Sequence, residues 1–435
     1  MFKKKIIILG AGLTGLSTAY HFRKYHIDTE IFEKEGKVGG LCRSKNINGF
    51  TFDYAGHLLH FKTSYVSKLV KSLLVGNLIK HIRNAGIFCY KRIIPYPFQT
   101  NLWALPYPIL SKCLLGFLKT DNFYLNNNSI SFLNWIYNTF GDGLAKYFMI
   151  PYNQKLWRFS LKKMSCSWVN SYIPKINTED LIKGAIEKNK DYIGYNRVFW
   201  YPKKNGIESL ISAFSILFKN INTFSEAIKI EPKNKKVYFK NGLVRKYDYL
   251  ISTIPLVELL NLIEGVNYEV SLLSKKLKWT SVFNLNLGIK RDIIFKQHWL
   301  YFPENKYVFF RIGFPCNLSK HVVPEDMSSL YIEVSYPGFR EIEEQRLISR
   351  IINDLKRIKI IKNKKDIVAM DANKIKYAYV VYTFEREKIL DKIFRFLRYH
   401  NIYSIGRYGG WRYSTIEDCI LEGKLITERI LNNYA

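Results

Sequence analysis

The chain lacks the cysteine and histidine patterns of metal sites, and it lacks long apolar runs. Its six cysteines lie far apart without a CxxC pair, at positions Cys42, Cys89, Cys113, Cys166, Cys316 and Cys419. This spacing predicts reduced thiols and excludes the common cysteine metal sites, so no metal is expected. Because no uninterrupted apolar run reaches the roughly eighteen residues of a spanning helix, we predict a cytoplasmic protein without a membrane span.

Acidic residues are scarce relative to basic ones. The 435 residues include 36 Asp and Glu against 67 Lys and Arg, which gives a formal net charge of +31. Since the basic residues are scattered and their runs are short, nucleic acid is not predicted as a partner. Two interpretations stay open: solvated lysines that reflect overall composition, or an anionic partner. The length favours two or three domains, and a homo-oligomer is left open.

The N-terminal stretch "IIILGAGLTGLSTAYHF" combines an apolar run with a glycine pattern. Lysines before the run imitate a signal peptide, but a signal peptide has no need for glycines at Gly10, Gly12 and Gly15. A β-branched strand, a GxGxxG turn and a helix form a dinucleotide-binding unit, with phosphate at the helix N-terminus. The next strand, "DTEIFEK", ends near Glu33, where a ribose-binding carboxylate belongs. We therefore predict a dinucleotide site at the N-terminus.

Two further segments favour FAD over NAD. The segment "EKEGKVGGLCRS" places Gly39, Gly40, Leu41 and Arg43 after the ribose acid, and "YDYLISTIPL" reads as a strand with a Thr-x-Pro turn. Both resemble the flavoprotein group that contains amine oxidases, protoporphyrinogen oxidases and UDP-galactopyranose mutases. The resemblance implies FAD as cofactor. No second convincing GxGxxG indicates a tightly held NAD(P)H, so the reductant, NAD(P)H or another donor, is left open.

The expected fold is α/β, with a discontinuous Rossmann-like FAD-binding domain that contains two inserts. Helical spacing from Leu105 to about Lys188 predicts a helical subdomain, and strand-like runs such as "TSVFNLNLGI" predict an antiparallel β-sheet substrate domain. The predicted boundaries are 1–80, 205–265 and 370–435 for the FAD domain, 105–195 for the helical subdomain, and 81–104, 196–204 and 266–369 for the sheet domain.

Six motifs in order along the chain resemble the UDP-galactopyranose mutases, in their eukaryotic-type pattern. They are "FDYAGHLLH", "PYPFQTNLWALP", "FMIPYNQKLWRFSLKKMSCSW", "WLYFPENKYVFFR", "YAYVVYTFEREKIL" and "GRYGGWRY". The resemblance implies an isomerase that interconverts pyranose and furanose forms of a UDP-sugar, with galactose as the default. In that family N5 of reduced FAD attacks the anomeric carbon and displaces the nucleotide, which later returns.

The resemblance also implies site residues. Those expected to bind substrate are Tyr96, Phe98, Gln99, Phe148, Tyr152, Asn153, Trp157, Asn196, Tyr301, Arg311, Tyr379 and Tyr413. The catalytic set is His57, Arg311, Tyr379, Tyr413 and Arg407. The cofactor is expected to contact Gly10, Gly12, Gly15, Glu33, Gly39, Gly40, Leu41, Arg43, Gly56, His57, Arg83, Arg407 and Tyr413.

Three positions depart from the family pattern. Tyr172 stands where a phosphate-binding arginine is expected, Leu318 replaces a phosphate-contacting tyrosine, and Glu417 replaces a sugar-contacting asparagine. Tyrosine cannot supply the bidentate contact of a guanidinium. Lys175 lies close enough in sequence to compensate, although a solvated surface lysine is the favoured interpretation. Glu417 either faces the sugar or is a first-turn helix acid.

Two alternative functions stay open. A flavin oxidoreductase of the amine oxidase or protoporphyrinogen oxidase type would share the FAD segments and remove hydride from its substrate. It would have an apolar substrate cavity, for which the amides of "PYPFQ" and "PYNQKLW" have little use. A nucleotide-sugar binder without catalysis is the third class.

Overall fold

The computed structural model describes residues 4–120, 130–169, 172–188, 197–219, 221–291, 293 and 295–432. Its strands are β1 (Ile6–Leu9), β2 (Glu30–Phe32), β3 (Ser44–Ile47), β4 (Phe50–Asp53), β5 (Leu78–Ile82), β6 (Ala85–Cys89), β7 (Arg92–Pro95), β8 (Val198–Pro202), β9 (Ile221–Asn222), β10 (Ala227–Glu231), β11 (Lys236–Phe239), β12 (Val244–Lys246), β13 (Tyr249–Ser252), β14 (Trp279–Ile289), β15 (Trp299–Tyr301), β16 (Arg311–Gly313), β17 (Ser328–Pro337), β18 (Ile367–Val380) and β19 (Ile402–Ser404). Its α-helices are α1 (Leu13–Lys24), α2 (Ser64–Leu73), α3 (Tyr107–Leu118), α4 (Phe132–Leu144), α5 (Ile150–Trp157), α6 (Thr178–Ile186), α7 (Glu208–Ser215), α8 (Leu256–Leu262), α9 (Tyr268–Lys276), α10 (Glu344–Arg357), α11 (Arg386–Tyr399), α12 (Gly406–Gly409) and α13 (Ile416–Asn432).

A five-stranded parallel sheet forms the dinucleotide-binding part, with the order β19-β13-β1-β2-β9. β1 is apolar along its whole length and buried, because strands flank it on both edges and helices cover the sheet. Helices α1 and α13 pack together and share a core with this sheet. β19 pairs in parallel with β13 at the edge of the sheet, and the predicted Rossmann-like fold class is confirmed.

A seven-stranded sheet with the order β18-β14-β17-β16-β15-β6-β7 forms the second layer. Its pairs are antiparallel except for β15 with β6, which run parallel. β14 is buried along nearly all its length because its neighbours β17 and β18 and the helix α10 enclose it. β18 continues to Val380, so this sheet uses residues that the prediction gave to the FAD domain from 370 onward. The division into domains stays a prediction.

Helices α3 to α6 occupy the region for which helices were predicted, within its described residues. A π-helical turn, Ala145–Met149, joins α4 to α5. α3 crosses α4 at very short distance, because Gly116 lies against the backbone of Gly143. In the described ranges no helix combines the length and apolar character needed to cross a bilayer.

Replacing Gly143 by alanine should destabilise this crossing. A methyl group there would overlap the carbonyl oxygen of Lys112 and approach the backbone of Cys113. Because backbone atoms cannot rotate away, we expect Gly143→Ala to lower the free energy of unfolding by about 1–3 kcal/mol. Urea denaturation measures this change. Asn138→Ala, at an exposed position of α4, is the control and should change stability by less than about 0.5 kcal/mol; equal stability of both variants would contradict the close crossing.

Candidate functional site

The glycine turn between β1 and α1 is shaped for a dinucleotide. Gly10 has a φ of +95°, and a methyl group on Gly15 would overlap the carbonyl oxygen of Gly10. Gly12 is the N-cap residue of α1, provides no side-chain cap, and is followed by a first turn without acidic residues. The amide groups at this helix end are therefore suited to a phosphate.

The second glycine segment closes over the first. The Gly39 amide donates to the Ala11 carbonyl (2.9 Å), and an added Cβ on Gly12 would lie 3.9 Å from Cα of Gly40. The Glu33 carboxylate accepts hydrogen bonds from the amides of Ala11 (2.8 Å) and Glu35 (3.1 Å), which fixes it beside the glycine turn. The arrangement joins a phosphate cradle to the acid expected for ribose.

His57 provides a second test of whether a flavin fits. Its Nδ1 atom is buried and has no hydrogen-bond partner among the described residues. Burial, with Arg407 and Arg311 nearby, lowers the pKa of His57 to about 4, so the imidazole is neutral near pH 7. A buried nitrogen without a partner among the described residues fits a bound group that supplies polar atoms. The residues present therefore fit a flavin dinucleotide.

Two arginines connect this region with the adjoining cleft. The Arg407 guanidinium donates to the carbonyls of Ser414 (2.6 Å) and Ala378 (2.9 Å) and lies 4.5 Å from the ring centre of Tyr413. The Arg83 guanidinium lies 4.7 Å from the ring centre of Tyr96. Both rings line the cleft. The candidate cofactor region and the cleft thus share walls.

The cleft has a volume of about 900 Å³ and lies between the helical region and the seven-stranded sheet. Ten residues predicted to bind substrate line it: Tyr96, Gln99, Phe148, Tyr152, Asn153, Trp157, Tyr301, Arg311, Tyr379 and Tyr413. The helical wall comes from α5 and the preceding π-helical turn, and the opposite wall comes from strands β15, β16 and β18. Their roles stay predictions, but the fold does bring them together.

Aromatic rings and two amides form one end of the cleft. The ring of Phe148 stacks on that of Tyr152 at 5.6 Å between centres. The Gln99 amide donates to the Pro174 carbonyl (2.9 Å), and the Asn153 amide donates to the Met149 carbonyl (2.8 Å). A side-chain amide nitrogen carries two N–H groups, so Gln99 and Asn153 each keep one N–H donor for a ligand. This end can accept a flat base and hydrogen-bond its edge.

Arg311 is the charged residue of the cleft lining, and a buried acid orients it. Glu333 on β17 is 2 % exposed and accepts from Nε and, at 2.9 Å, from Nη2 of Arg311. Burial alone would lower the pKa of Arg311, but the Glu333 carboxylate beside it contributes to a net rise in that pKa. The guanidinium therefore stays charged. The pair fixes the guanidinium plane and leaves further N–H donors for an anion.

Tyr379 and Tyr413 stand beside this cation. Their rings stack with centres 6.1 Å apart, and burial raises the pKa of Tyr379 above its usual value. The hydroxyl of Tyr379 therefore stays protonated and can donate a hydrogen bond at neutral pH. One cation and neutral hydroxyl donors are the chemistry that binds phosphate oxygens and stabilises charge developing on them.

Several predicted site residues are placed differently or lie outside the description. The predicted contact through the side chain of Phe98 is wrong: its ring is fully buried behind Phe148, at 4.7 Å, and supports the wall. Asn196 lies outside the described residues. Tyr172 lines the cleft and donates to the Tyr413 carbonyl (3.3 Å), whereas Lys175 is exposed and is not part of the lining. The missing guanidinium is therefore not replaced by Lys175.

The other two departures from the family pattern lie away from the cleft. Leu318 is buried in the sheet core and borders a separate hollow of about 270 Å³ next to His57. Glu417 is 2 % exposed, and its carboxylate accepts from the amides of Lys62 (2.6 Å) and Thr63 (2.7 Å). Glu417 lies in the first turn of α13, which confirms the interpretation as a first-turn helix acid, and its carboxylate also anchors the start of α2. Thr415 caps α13, since its hydroxyl accepts from the Asp418 amide (3.2 Å).

Sequence reasoning missed several residues of the site, and two of them are instructive. Trp168 lines the cleft, and its motif "MSCSW" was recognised without selecting it. Glu333 was missed altogether, although the strand "SLYIEVSY" carries a single acid between apolar neighbours. An acid in a strand buried on both faces requires a partner, so that pattern could have indicated a buried ion pair.

Gly12→Ala separates cofactor binding from folding. Since the added methyl group has no atom of the protein closer than 3.9 Å, the fold should tolerate it. The methyl group should still obstruct close approach of a pyrophosphate, and we expect FAD affinity to fall at least about tenfold. Flavin fluorescence titration measures the affinity, with thermal unfolding of the apoprotein as the folding control. Unchanged affinity would contradict the assignment of the cradle.

Glu417→Ala should act on stability and not on ligand choice. The substitution leaves two partly buried amides without their acceptor, so the free energy of unfolding should fall by about 1–3 kcal/mol. Denaturation of Glu417→Ala and of the control Glu428→Ala, on the outer part of α13, measures this. A change in sugar preference with full stability would contradict the structural role.

The comparisons with known proteins agree with this geometry. A family profile, the NAD(P)-binding Rossmann-like domain, matches residues 8–73. Coproporphyrinogen III oxidase of Staphylococcus aureus (strain NCTC 8325 / PS 47) is 24% identical over 286 residues, which are 58% of this chain and 60% of that oxidase. The chain thus spans less than two thirds of that relative's length.

Two solved structures extend the comparison to the whole chain. A crystal structure of a putative protoporphyrinogen oxidase from Exiguobacterium sp. 255-15 superposes with a TM-score of 0.79 at 16% identity, covering 100% of both chains, which shows a shared fold. A crystal structure of reduced UDP-galactopyranose mutase superposes with a TM-score of 0.93 at 28% identity, covering 99% of this chain and 96% of that one. These comparisons relate the chain to the FAD-binding superfamily of the amine and protoporphyrinogen oxidases and, over nearly its whole length, to UDP-galactopyranose mutase.

Proposed function

We propose that the protein is a flavin-dependent nucleotide-sugar mutase that interconverts the pyranose and furanose forms of a UDP-sugar, with UDP-galactose as the default substrate. The observation that carries the proposal is that Arg311, held by Glu333, lines the same cleft as Tyr379 and Tyr413, and that the other end of the cleft is aromatic and amide-bearing. A UDP-sugar has a base, a pyrophosphate and a sugar in that order. The cleft offers a matching surface for the first two.

The base end is formed by Phe148, Tyr152 and Gln99. Stacking of a uracil on an aromatic wall contributes about 0.5–1.5 kcal/mol per ring contact beyond the burial of apolar area. Gln99 is 2 % exposed, so its amide lies in a desolvated position where a hydrogen bond to the base edge discriminates between bases.

The phosphate end would stabilise the leaving nucleotide when its bond to the sugar breaks. Departure of the nucleotide from the anomeric carbon places negative charge on the phosphate next to Arg311. A fixed cation and the hydroxyl donors of Tyr379 and Tyr413 stabilise that charge without reorganising. The same contacts would hold the nucleotide until it returns to the sugar.

The cofactor region would hold FAD through Gly12, Gly40 and Glu33, with Arg407 and His57 as further candidate contacts. When bound and reduced, FAD would supply the nucleophile for the anomeric carbon. The buried cation Arg407 favours an anionic reduced cofactor, and its hydrogen bonds to two carbonyls hold it in position. NAD(P)H or another donor would serve as reductant.

Anaerobic assay of the FAD-loaded protein tests the proposal. After reduction with dithionite, UDP-galactose should equilibrate with UDP-galactofuranose, detected by separation of the two nucleotide sugars, whereas oxidised protein should be inactive. If no pyranose or furanose UDP-sugar is converted while the reduced protein retains bound FAD, the proposal fails.

A flavin oxidoreductase is the second candidate, because the coproporphyrinogen III oxidase of Staphylococcus aureus matches 286 residues of this chain. It predicts hydride removal from an amine or porphyrinogen by the oxidised protein. Against it stands the lining of the cleft, in which Arg311, Gln99 and Asn153 are polar. Bleaching of the oxidised flavin by a porphyrinogen, with no mutase turnover, would reverse the order of the two candidates.

Glu333→Gln tests whether turnover depends on the orientation of the Arg311 guanidinium. Glutamine removes the charge-assisted, two-point hold on Arg311, so the guanidinium gains freedom but keeps its charge. We expect mutase turnover to fall about tenfold, with a smaller change in KM. Glu304→Gln, whose carboxylate pairs with Lys306 outside the cleft lining, is the matched control and should leave turnover unchanged. Equal turnover in both variants would show that the orientation of Arg311 is unimportant.

A further inference from the structure

The distribution of acidic residues singles out one part of the surface. Residues 54–120 contain no Asp or Glu, although the segment includes nine Lys and Arg: Lys62, Lys68, Lys71, Lys80, Arg83, Lys91, Arg92, Lys112 and Lys119. The segment ends with α3 (Tyr107–Leu118). The segment itself therefore supplies no acidic partner for its basic residues, and α3 is its last described helix.

α3 exposes apolar side chains on its outer face. Cys113 and Phe117 are buried against α4, whereas Tyr107, Leu115 and Leu118 are 86%, 56% and 53% exposed. At 100° per residue the three exposed side chains fall within one quarter of the helix circumference. The close glycine crossing holds the helix flat against α4, so this face points away from the protein.

Two lysines border the same face. Lys112 and Lys119 are exposed and lie seven residues apart, which places them along one edge of the apolar stripe. α3 itself carries no acidic residue. The neighbouring helix α6 adds exposed Ile182 and Ile186 beside it, with acids in its first turn and Glu187 at its C-terminal end. The exposed Asp142 of α4 lies on the other side, next to Gly116. An apolar stripe with a basic edge has the composition of a helix that rests at a membrane interface.

We propose that the outer face of α3, formed by Tyr107, Leu115 and Leu118 with Lys112 and Lys119, docks on an anionic lipid bilayer surface. The leucines would enter the boundary between head groups and acyl chains, while the lysines extend to the lipid phosphates. A second copy of the chain fits the face less well. Each copy carries a formal net charge of +31, and pairing two such faces would bring four lysines together.

Sedimentation with lipid vesicles tests the proposal on the FAD-loaded protein. The protein should partition at least about tenfold more onto phosphatidylcholine vesicles with about 30 mol% phosphatidylglycerol than onto pure phosphatidylcholine, and binding should weaken as salt rises. The double variants Leu115→Ser with Leu118→Ser, and Lys112→Glu with Lys119→Glu, should each reduce the partition about tenfold.

Matched variants elsewhere on the surface separate this face from general charge and hydrophobicity. Leu272→Ser with Leu425→Ser removes two exposed leucines, and Lys233→Glu with Lys364→Glu inverts two exposed lysines. Both should bind anionic vesicles as the wild type does. The proposal is overturned if the wild type shows no preference for anionic vesicles, or if these controls lose as much binding as the α3 variants. It is equally overturned if sedimentation velocity shows that the α3 leucine variant abolishes a dimer while vesicle binding is unchanged.

Discussion

The buried ion pair between Glu333 and Arg311 is the interaction on which the candidate site depends. A carboxylate that is 2 % exposed on β17 requires a cation, and Arg311 on the adjacent strand β16 supplies it. Removing either partner would leave an uncompensated buried charge, at a cost of about 3–5 kcal/mol. Because Glu333 needs a cation, Arg311 must lie opposite it, and the pairing register of β16 and β17 places the two side by side. The position of the positive charge in the cleft lining follows from this pairing.

The rest of the cleft is arranged around that cation. The helical region brings the aromatic and amide side chains of α5 opposite β15 and β16, so a flat base and a phosphate can be held together. On the other side, Arg407 contacts the ring of Tyr413 and links the cleft to the segment before α13. Since α13 packs on α1, the C-terminal segment couples the cleft to the glycine cradle.

Local patterns in the sequence predicted the parts of the structure that depend on local chemistry. The glycine turn, the second glycine segment and β19 follow from strand, turn and helix signals, and motif resemblance selected most of the cleft lining. The features that these patterns did not reveal are contacts between distant residues. Glu417 binds the amide of Lys62 across 355 positions in sequence, and the ring of Phe98 is hidden by Phe148. Such contacts cannot be predicted from composition or residue spacing, because they form only when the sheets and helices pack together.

Titration of uridine, UMP and UDP into the FAD-loaded protein and its Arg311→Lys variant tests the central claim most directly, namely that the cleft binds a nucleoside diphosphate through Arg311. The wild type should bind UDP most tightly and uridine least. Arg311→Lys should weaken UDP binding by roughly ten- to hundredfold and leave uridine binding nearly unchanged, because lysine cannot reproduce the bidentate contact. Uridine binding as tightly as UDP, or an equal loss for all three ligands, would contradict the account.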